Sequence, residues 1–187
     1  VGSEMCIRDR VSSQALKYQR VENLPFDVAC FLNIGRDHIS PIEHPTFEDY
    51  FESKLRIFDQ AKTAVVNLGT EEVDRVLEAA STAERLVTVG VEHPEASLWA
   101  SDVLMGGFSI EFNLHGLCAD ESEAGEKVLL GIAGDFNVEN ALVAIAAARE
   151  IGIGIEAIKK GLSKLRVPGR MEVVESVSYT HLTLPTK

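Results

Sequence analysis

The 187 residues of the chain are 45% hydrophobic and 25% charged, and the formal net charge is −11. This composition is typical of a globular chain of one domain or slightly more. The negative charge argues against nucleic acid and against an anionic membrane as the main partner, because both are bound by clustered Lys and Arg. An anionic ligand could still bind at a local site or through a metal ion.

The apolar runs and the cysteines argue against a membrane-spanning protein, a secreted protein and a protein built on disulfides or a paired-cysteine zinc site. No apolar run approaches the roughly 20 residues of a membrane span, and no signal-peptide pattern opens the sequence. We therefore expect a cytoplasmic protein. The three cysteines, Cys6, Cys30 and Cys118, are too few and too scattered for a disulfide framework or for a zinc site with paired spacing.

The two ends of the sequence correspond to one short stretch of DNA. Residues 5–9 can be encoded by ATG TGT ATA AGA GAC AG, and the reverse complement of that string encodes residues 177–181. The string looks like the transposon-end adapter used in sequencing libraries. We therefore expect residues 1–10 and 177–187 to be adapter-derived and residues 11–176 to be the biological segment.

Strands and helices alternate over the first half of that segment, which predicts a parallel sheet with crossover helices. The predicted elements are a helix at 11–21, a strand at 26–34, a helix at 45–60, a strand at 63–68, a helix at 71–81 and a strand at 85–90. The strand at 26–34 is a near-continuous apolar run, which is typical of a parallel strand buried on both faces.

The pattern changes at Ser97. Residues 97–116 and 127–134 have the pattern of strands with glycine turns and no intervening helix, which predicts a small antiparallel sheet. An Ala-rich amphipathic helix at 137–153 and a second helix at 155–165 follow, before a Pro-Gly break that predicts a linker. The predicted fold class is α/β, an incomplete parallel sheet with a small antiparallel β subsheet.

The helix predicted at 45–60 carries one cation on its apolar face. At about 100° per residue, one stripe is apolar: Phe47, Tyr50, Phe51, Leu55, Ile57 and Phe58. The opposite face is polar: Glu48, Asp49, Glu52, Ser53 and Arg56. Lys54 falls near the middle of the apolar stripe. Its stem could pack on the core while its amine reaches water, or the amine could serve a site.

Polar residues also cluster between the first predicted strand and that helix. Four of them lie in "GRDHISPIEHP": Asp37, His38, Glu43 and His44. The carboxyl end of a parallel strand is where open α/β sheets bind ligands. His38 and His44 could be metal ligands, or they could be hydrogen-bonding loop residues. Thr46 with Asp49 is typical of a helix-capping pair.

A second candidate site lies at the start of the helix at 137–153. Asn137 and Asn140 are three residues apart in its first turn, and so on one face. One interpretation is an Asn cap. The other is a pair of amides that bind a purine edge or a ribose, because an amide offers both donor and acceptor. No G-x-x-x-x-G-K-[ST] phosphate loop occurs in the sequence.

Five stretches together resemble the central ATPase domain of the Mur ligases, and they look closest to the UDP-N-acetylmuramoyl-tripeptide synthetase branch. They are "VSSQALKYQRV", "FDVACFLNIGRDHISPIEH", "YFESKLRIF", "FNVENALVAIAAA" and "VPGRME", in the family's order over nearly all of 11–175. The resemblance implies a P-loop NTPase-like fold and an enzyme of peptidoglycan biosynthesis. Such a ligase phosphorylates a carboxylate of a UDP-N-acetylmuramoyl-peptide with ATP and Mg²⁺, and the amine of an incoming amino acid then displaces phosphate.

The resemblance also implies roles for individual residues. Lys54 matches a lysine that carbon dioxide carbamylates, giving a carboxylate-like group that helps to bind magnesium, and an apolar setting favours the neutral amine that this reaction needs. His38 matches a ligand of a second magnesium. Two metals would neutralise charge during phosphoryl transfer.

Binding roles follow from the same resemblance. Ser12 and Arg20 match residues that hold the UDP-linked substrate, and a guanidinium can fork onto a carboxylate or phosphate. Asn137 and Asn140 match nucleotide-binding asparagines, and Arg170 matches an arginine near the ATP phosphates.

The sequence departs from the family pattern in ways that bear on activity. Arg10 stands where the family has a metal-binding glutamate, and Tyr18 stands where many relatives carry Gln. The phosphate loop, the UDP-binding domain and the amino-acid-binding domain are missing from the 187 residues. We therefore expect no ligase activity from this polypeptide alone, and a strand edge left open to aggregation.

Three other interpretations remain open at this point. Folylpolyglutamate synthases share the architecture and match less well. A metal-dependent hydrolase could use Asp37, His38 and His44 without a nucleotide. A non-catalytic domain would carry the same polar residues as caps and loop residues only.

Overall fold

The computed structural model describes residues 10–35, 39–40, 43–116 and 125–167. Within these ranges the strands form one six-stranded sheet in the order β1-β2-β3-β4-β5-β6. The strands are β1 (Phe26–Phe31), β2 (Ala61–Asn67), β3 (Arg85–Val91), β4 (Leu98–Met105), β5 (Ile110–Gly116) and β6 (Glu126–Leu130). The pairs from β1 to β4 are parallel, and those from β4 to β6 are antiparallel.

The helices follow the predicted order. They are α1 (Ser13–Lys17), α2 (Phe47–Leu55), α3 (Val73–Ala80), α4 (Phe136–Glu150) and α5 (Ile155–Ser163), with a 3₁₀ helix at Arg56–Gln60. The single helix predicted at 45–60 is therefore wrong in one respect, because its last turn and a half tightens into 3₁₀ geometry, as helix C-termini often do. No helix in the described part of the chain is long and apolar enough to cross a membrane.

Two hydrophobic cores lie on opposite faces of the sheet, and β2 contributes to both. Val65 of β2 belongs to the core that α4 and α5 cover, and Val66 belongs to the core that α2, the 3₁₀ helix and α3 cover. All but one of the seven residues of β2 are buried, as expected for a parallel strand with helices on both sides. This layering confirms the α/β prediction.

The antiparallel part of the sheet is confirmed, and it is continuous with the parallel part. A short parallel pairing joins the end of β3 to the start of β4, with Val89 opposite Leu98 and Val91 opposite Ala100. No helix crosses over between these two strands, because residues 92–97 alone connect them. The predicted subsheet therefore extends the same sheet instead of standing apart from it.

Candidate active site

Lys54 lies in the last turn of α2, and its amine lies over two aromatic rings. The Nζ atom is 4.8 Å from the centroid of the Tyr50 ring and 5.9 Å from that of Phe31. Phe31 is the last residue of β1, so the amine lies beside the carboxyl end of a parallel strand, where α/β proteins bind ligands. The side chain is half-buried, and no carboxylate of the described residues forms an ion pair with it.

One detail of α2 differs from the predicted faces, and the start of the helix agrees with the prediction. Ser53, predicted on the polar face, is buried, and its hydroxyl donates to the Asp49 carbonyl at 2.5 Å. That bond satisfies the hydroxyl inside the protein, so burial costs little. The predicted cap is confirmed, because the Thr46 side chain accepts a hydrogen bond from the backbone N–H of Asp49 at 3.1 Å.

His44 is buried and hydrogen-bonded through both ring nitrogens. Its side chain is 1% exposed. Its Nδ1 lies 2.6 Å from Asp49 Oδ2, and its Nε2 lies 2.9 Å from Ser13 Oγ. An ionised carboxylate can only accept, so Nδ1 carries the proton that it donates to Asp49. A metal would need one of these nitrogens, and the interpretation of His44 as a metal ligand is therefore wrong.

Asp49 joins helices α1 and α2, a role that its place in a capping motif did not indicate. Its Oδ2 accepts from Lys17 Nζ at 2.6 Å as well as from His44. These two hydrogen bonds, that from Lys17 first, hold the pKa of the Asp49 carboxyl below its usual range. Lys17 also donates to the carbonyl of Glu43 at 3.3 Å. The lysine, the carboxylate and the imidazole thus connect α1, the 43–44 segment and α2.

The two predicted substrate residues flank α1. Ser12 caps the helix, and its Oγ accepts from the backbone N–H of Ala15 at 3.1 Å. Arg20 follows the helix and is exposed, with its guanidinium carbon 5.6 Å from the centroid of the exposed Tyr18 ring. Both residues therefore lie at the surface on the segment that His44 and Asp49 hold against α2.

Asn137 and Asn140 share one face at the start of α4, as predicted. The Asn140 amide donates to Asn137 Oδ1 at 3.3 Å, and the Asn137 amide donates to the Ala133 carbonyl at 2.7 Å. The Asn-cap interpretation is wrong, because Asp135 is the N-cap and accepts from the backbone N–H of Phe136 at 2.8 Å. Phe136 beside them is exposed.

An Asn–Glu contact at the carboxyl end of β2 was not predicted. Asn67 is buried, and its amide donates to the Leu32 carbonyl at 3.1 Å and to Glu139 Oε2 at 3.0 Å. A Cβ on Gly69 would lie 2.6 Å from Glu139 Oε1, so the glycine leaves room for the Glu139 carboxylate beside Asn67. The available signal was an asparagine at the end of an apolar strand, with a glycine two residues later.

A groove of about 470 Å³ lies between the first turn of α4 and the ends of β3 and β4. This volume is within the range of small-molecule sites. Its lining is mainly apolar, with one carboxylate at each end of the helical turn: Val91, Val103, Met105, Asp135, Phe136, Val138 and Glu139.

Three predicted site residues lie outside the described residues: Asp37, His38 and Arg170. Within residues 10–35, 39–40, 43–116 and 125–167, no group of three or more His, Cys, Asp or Glu side chains could hold a metal ion. The structure thus brings Lys54, His44 and the α1 segment together around α2, and it keeps Asn137 and Asn140 together on α4.

A comparison with protein families matches residues 10–148 to the Mur ligase middle domain. The chain belongs to the Mur ligase family. It is 39% identical over 164 residues to a UDP-N-acetylmuramoyl-L-alanyl-D-glutamate–L-lysine ligase of Streptococcus sanguinis, a match that covers 88% of this chain and 31% of that enzyme. It is 40% identical over 172 residues to a UDP-N-acetylmuramyl-tripeptide synthetase of Bifidobacterium longum, covering 87% of this chain and 32% of that protein.

A solved structure of a Mur ligase has the same fold. The structure of a UDP-N-acetylmuramoyl-L-alanyl-D-glutamate–2,6-diaminopimelate ligase superimposes with a TM-score of 0.77 at 28% identity, covering 89% of this chain and 34% of that one. The chain therefore spans about a third of the length of the Mur ligases that it matches.

Proposed function

We propose that this chain forms part of the central domain of a cytoplasmic, ATP-dependent ligase of peptidoglycan biosynthesis. The ligase joins an amino acid to a UDP-N-acetylmuramoyl-peptide. The observation that carries the proposal is the family match over residues 10–148, which includes the half-buried lysine beside the end of β1. The similar enzymes are named for different amino acids, L-lysine and 2,6-diaminopimelate, so the proposal leaves the amino acid open.

Lys54 is proposed to act as a carbamate. The ammonium first gives a proton to water, and the neutral nitrogen then bonds to the carbon of carbon dioxide and loses a second proton. A side chain that was cationic thereby becomes negatively charged. Support comes from the position of Nζ beside the carboxyl end of β1, where it has no ion-pair partner among the described residues. The carbamate and His38 would hold Mg²⁺, which would neutralise charge on the transferred phosphoryl group.

The two other segments are proposed to bind the substrates. Ser12 and Arg20 at the ends of α1 hold the UDP-linked peptide, since an exposed guanidinium can form two parallel hydrogen bonds with a carboxylate or phosphate. Asn137 and Asn140 on α4 bind ATP, with Arg170 near its phosphates. Support for the nucleotide site comes from the exposed Phe136 ring beside the asparagines, because an aromatic face suits a purine base.

The alternative function, a metal-dependent hydrolase, required His44 as one of three metal ligands, and His44 is not available for that role. Both ring nitrogens of His44 are committed to Asp49 and Ser13. A hydrolase would have to work with Asp37 and His38 alone from this loop, and no observation in the described residues favours it.

A chimera tests the proposal. Residues 11–167 replace the matching segment of the Streptococcus sanguinis ligase, and product formation from ATP, amino acid and UDP-linked peptide is measured. The chimera is expected to be active, whereas the 187-residue chain alone is expected to turn over no ATP. Lys54→Ala in the chimera should lower kcat at least about tenfold, as loss of a metal-site group does, with partial rescue by short carboxylates.

Lys62→Ala is the matched control, because Lys62 forms an ion pair with Asp27 on the exposed side of the sheet edge. It should leave the activity of the chimera unchanged. A folded chimera without ligase activity would contradict the proposed function. Full activity of the Lys54→Ala chimera would contradict the carbamate role alone.

A further inference from the structure

His44 has no role in the function proposed above, yet both of its ring nitrogens are hydrogen-bonded. It is 1% exposed, and its two ring nitrogens bind residues that are far apart in sequence, Asp49 on α2 and Ser13 on α1. A buried polar side chain that satisfies two partners from different elements fixes the distance between those elements. The two hydrogen bonds of His44 therefore help to fix the distance between α1 and α2.

Helix α1 depends on such contacts because it is too short to be stable by itself. It has five residues, and one of them, Leu16, is buried. An isolated helix of this length does not form in water. Leu16 supplies apolar anchorage, which has no preferred direction. The bonds from Ser13 to His44 and from Lys17 to Asp49, at 2.9 and 2.6 Å, are directional and set the orientation of α1.

The same imidazole also contacts Tyr50, one of the two rings beside the Lys54 amine. The ring centroids of His44 and Tyr50 are 5.2 Å apart, and Lys54 Nζ lies 4.8 Å from the Tyr50 centroid. A continuous set of contacts thus runs from Ser13 through His44 and Tyr50 to Lys54. Its ends are the segment proposed to hold the UDP-linked substrate and the lysine proposed to hold Mg²⁺ as a carbamate.

We propose that His44 is a positioning residue that holds the Ser12–Arg20 segment at a fixed distance and orientation from Lys54. This inference rests on the proposed function for the roles of Arg20 and Lys54. The carboxylate that is phosphorylated must lie close to the metal site while the rest of the substrate is bound some distance away. A small displacement of the binding segment therefore weakens productive binding even though no reacting group changes.

The first test measures, in the 187-residue chain, whether His44 stabilises α1 against α2. His44→Phe keeps a ring against Tyr50 and removes both hydrogen bonds. Amide hydrogen exchange in α1 should accelerate about tenfold, the effect of losing such bonds, while exchange in α4 stays unchanged. His115→Phe is the matched control, because His115 also binds a serine hydroxyl, that of Ser101 at 2.8 Å, and stacks on Trp99 far from α1.

The second test measures the consequence in the active chimera. His44→Phe should raise KM for the UDP-linked substrate about tenfold and leave KM for ATP unchanged, because the proposed nucleotide residues are on α4. His44→Gln, which retains a donor and an acceptor, should recover part of the loss. A merely structural histidine would lower the fraction of active enzyme and change neither KM.

The outcomes separate this inference from the proposed function. Unchanged exchange in α1 overturns the positioning role. So does an unchanged KM for the UDP-linked substrate in His44→Phe when Arg20→Ala raises that KM. An Arg20→Ala chimera with an unchanged KM overturns the substrate role of α1, and the positioning role with it, while the ligase activity of the chimera itself still stands.

Discussion

At the scale of single residues, Cys30 allows a direct chemical test of the environment of β1. Its side chain packs against the core on the α4 side of the sheet. Burial raises the pKa of the thiol to about 11. An ordinary cysteine has a pKa of about 8.5, and the thiolate is the reactive form. At pH 8 the thiolate fraction of Cys30 is therefore on the order of 100-fold smaller than that of a free thiol.

We expect a Cys6→Ser, Cys118→Ser variant, whose one thiol is Cys30, to react with iodoacetamide at pH 8 at least about 100-fold more slowly than free cysteine. Because the thiolate forms only as the pH approaches the raised pKa, the rate should climb with pH toward 11. Unfolding in concentrated urea is the control and should restore ordinary reactivity. A folded chain that reacts at the rate of free cysteine would contradict the burial of Cys30.

Residue chemistry could be predicted from the sequence where it depends on helical spacing, and it could not where it depends on distant partners. Lys54 on the apolar side of its helix and the Asn137–Asn140 pair follow from positions within one turn. The partners of His44 lie 5 and 31 residues away. Asn67 and Glu139 are 72 residues apart. No local pattern indicates such contacts, so His44 was open to a metal interpretation and Glu139 was missed.

At the scale of secondary-structure elements, the side chain of Thr46 caps the start of α2. The Thr46 hydroxyl accepts from the Asp49 backbone N–H at 3.1 Å. We expect Thr46→Ala to lower the free energy of unfolding by about 1 kcal/mol, because one N–H of the first turn loses its acceptor. Thr46→Ser keeps the hydroxyl and should cost less. Urea unfolding monitored by circular dichroism measures both, and equal stability of Thr46→Ala and the parent chain would contradict the cap.

Element boundaries show the limits of periodicity as a guide. The apolar stripe continues through Ile57 and Phe58, which predicts one long helix, yet the backbone becomes 3₁₀ at Arg56. The observed 3₁₀ geometry places Phe58 in the core, as the helical periodicity also predicted, so the hydrophobic pattern cannot separate the two geometries. The strands of the parallel part were predicted to within a few residues, because short apolar runs that end at polar or turn residues favour buried strands over helices.

At the scale of the whole molecule, the order of the strands in the sheet could not be predicted from the sequence. Alternating strands and helices indicate a parallel sheet, but they do not say that β4 pairs with β3 across a six-residue connection. Parallel neighbours usually need a crossover of a dozen or more residues. The parallel pairing of Val89 with Leu98 is therefore a tertiary feature, and it makes one sheet out of the two predicted parts.

The same strand order places β1 at one edge of the sheet. Among the described residues no strand pairs with its outer side. An open, apolar edge strand is a template for pairing with another chain. The net charge of −11 opposes association by mutual repulsion, and salt screens that repulsion. We therefore expect the 187-residue chain to self-associate increasingly as salt and protein concentration rise.

Paired lysine substitutions test whether β1 is the surface that associates. Leu32, directly after β1, is 37% exposed, and Leu86, on the interior strand β3, is 38% exposed. Lysine on an edge strand hinders edge-to-edge pairing. Leu32→Lys should therefore keep the chain monomeric in sedimentation velocity at high salt, whereas Leu86→Lys should associate like the parent chain. Equal association of both variants would exclude β1, because the two substitutions alter charge and exposed apolar area alike.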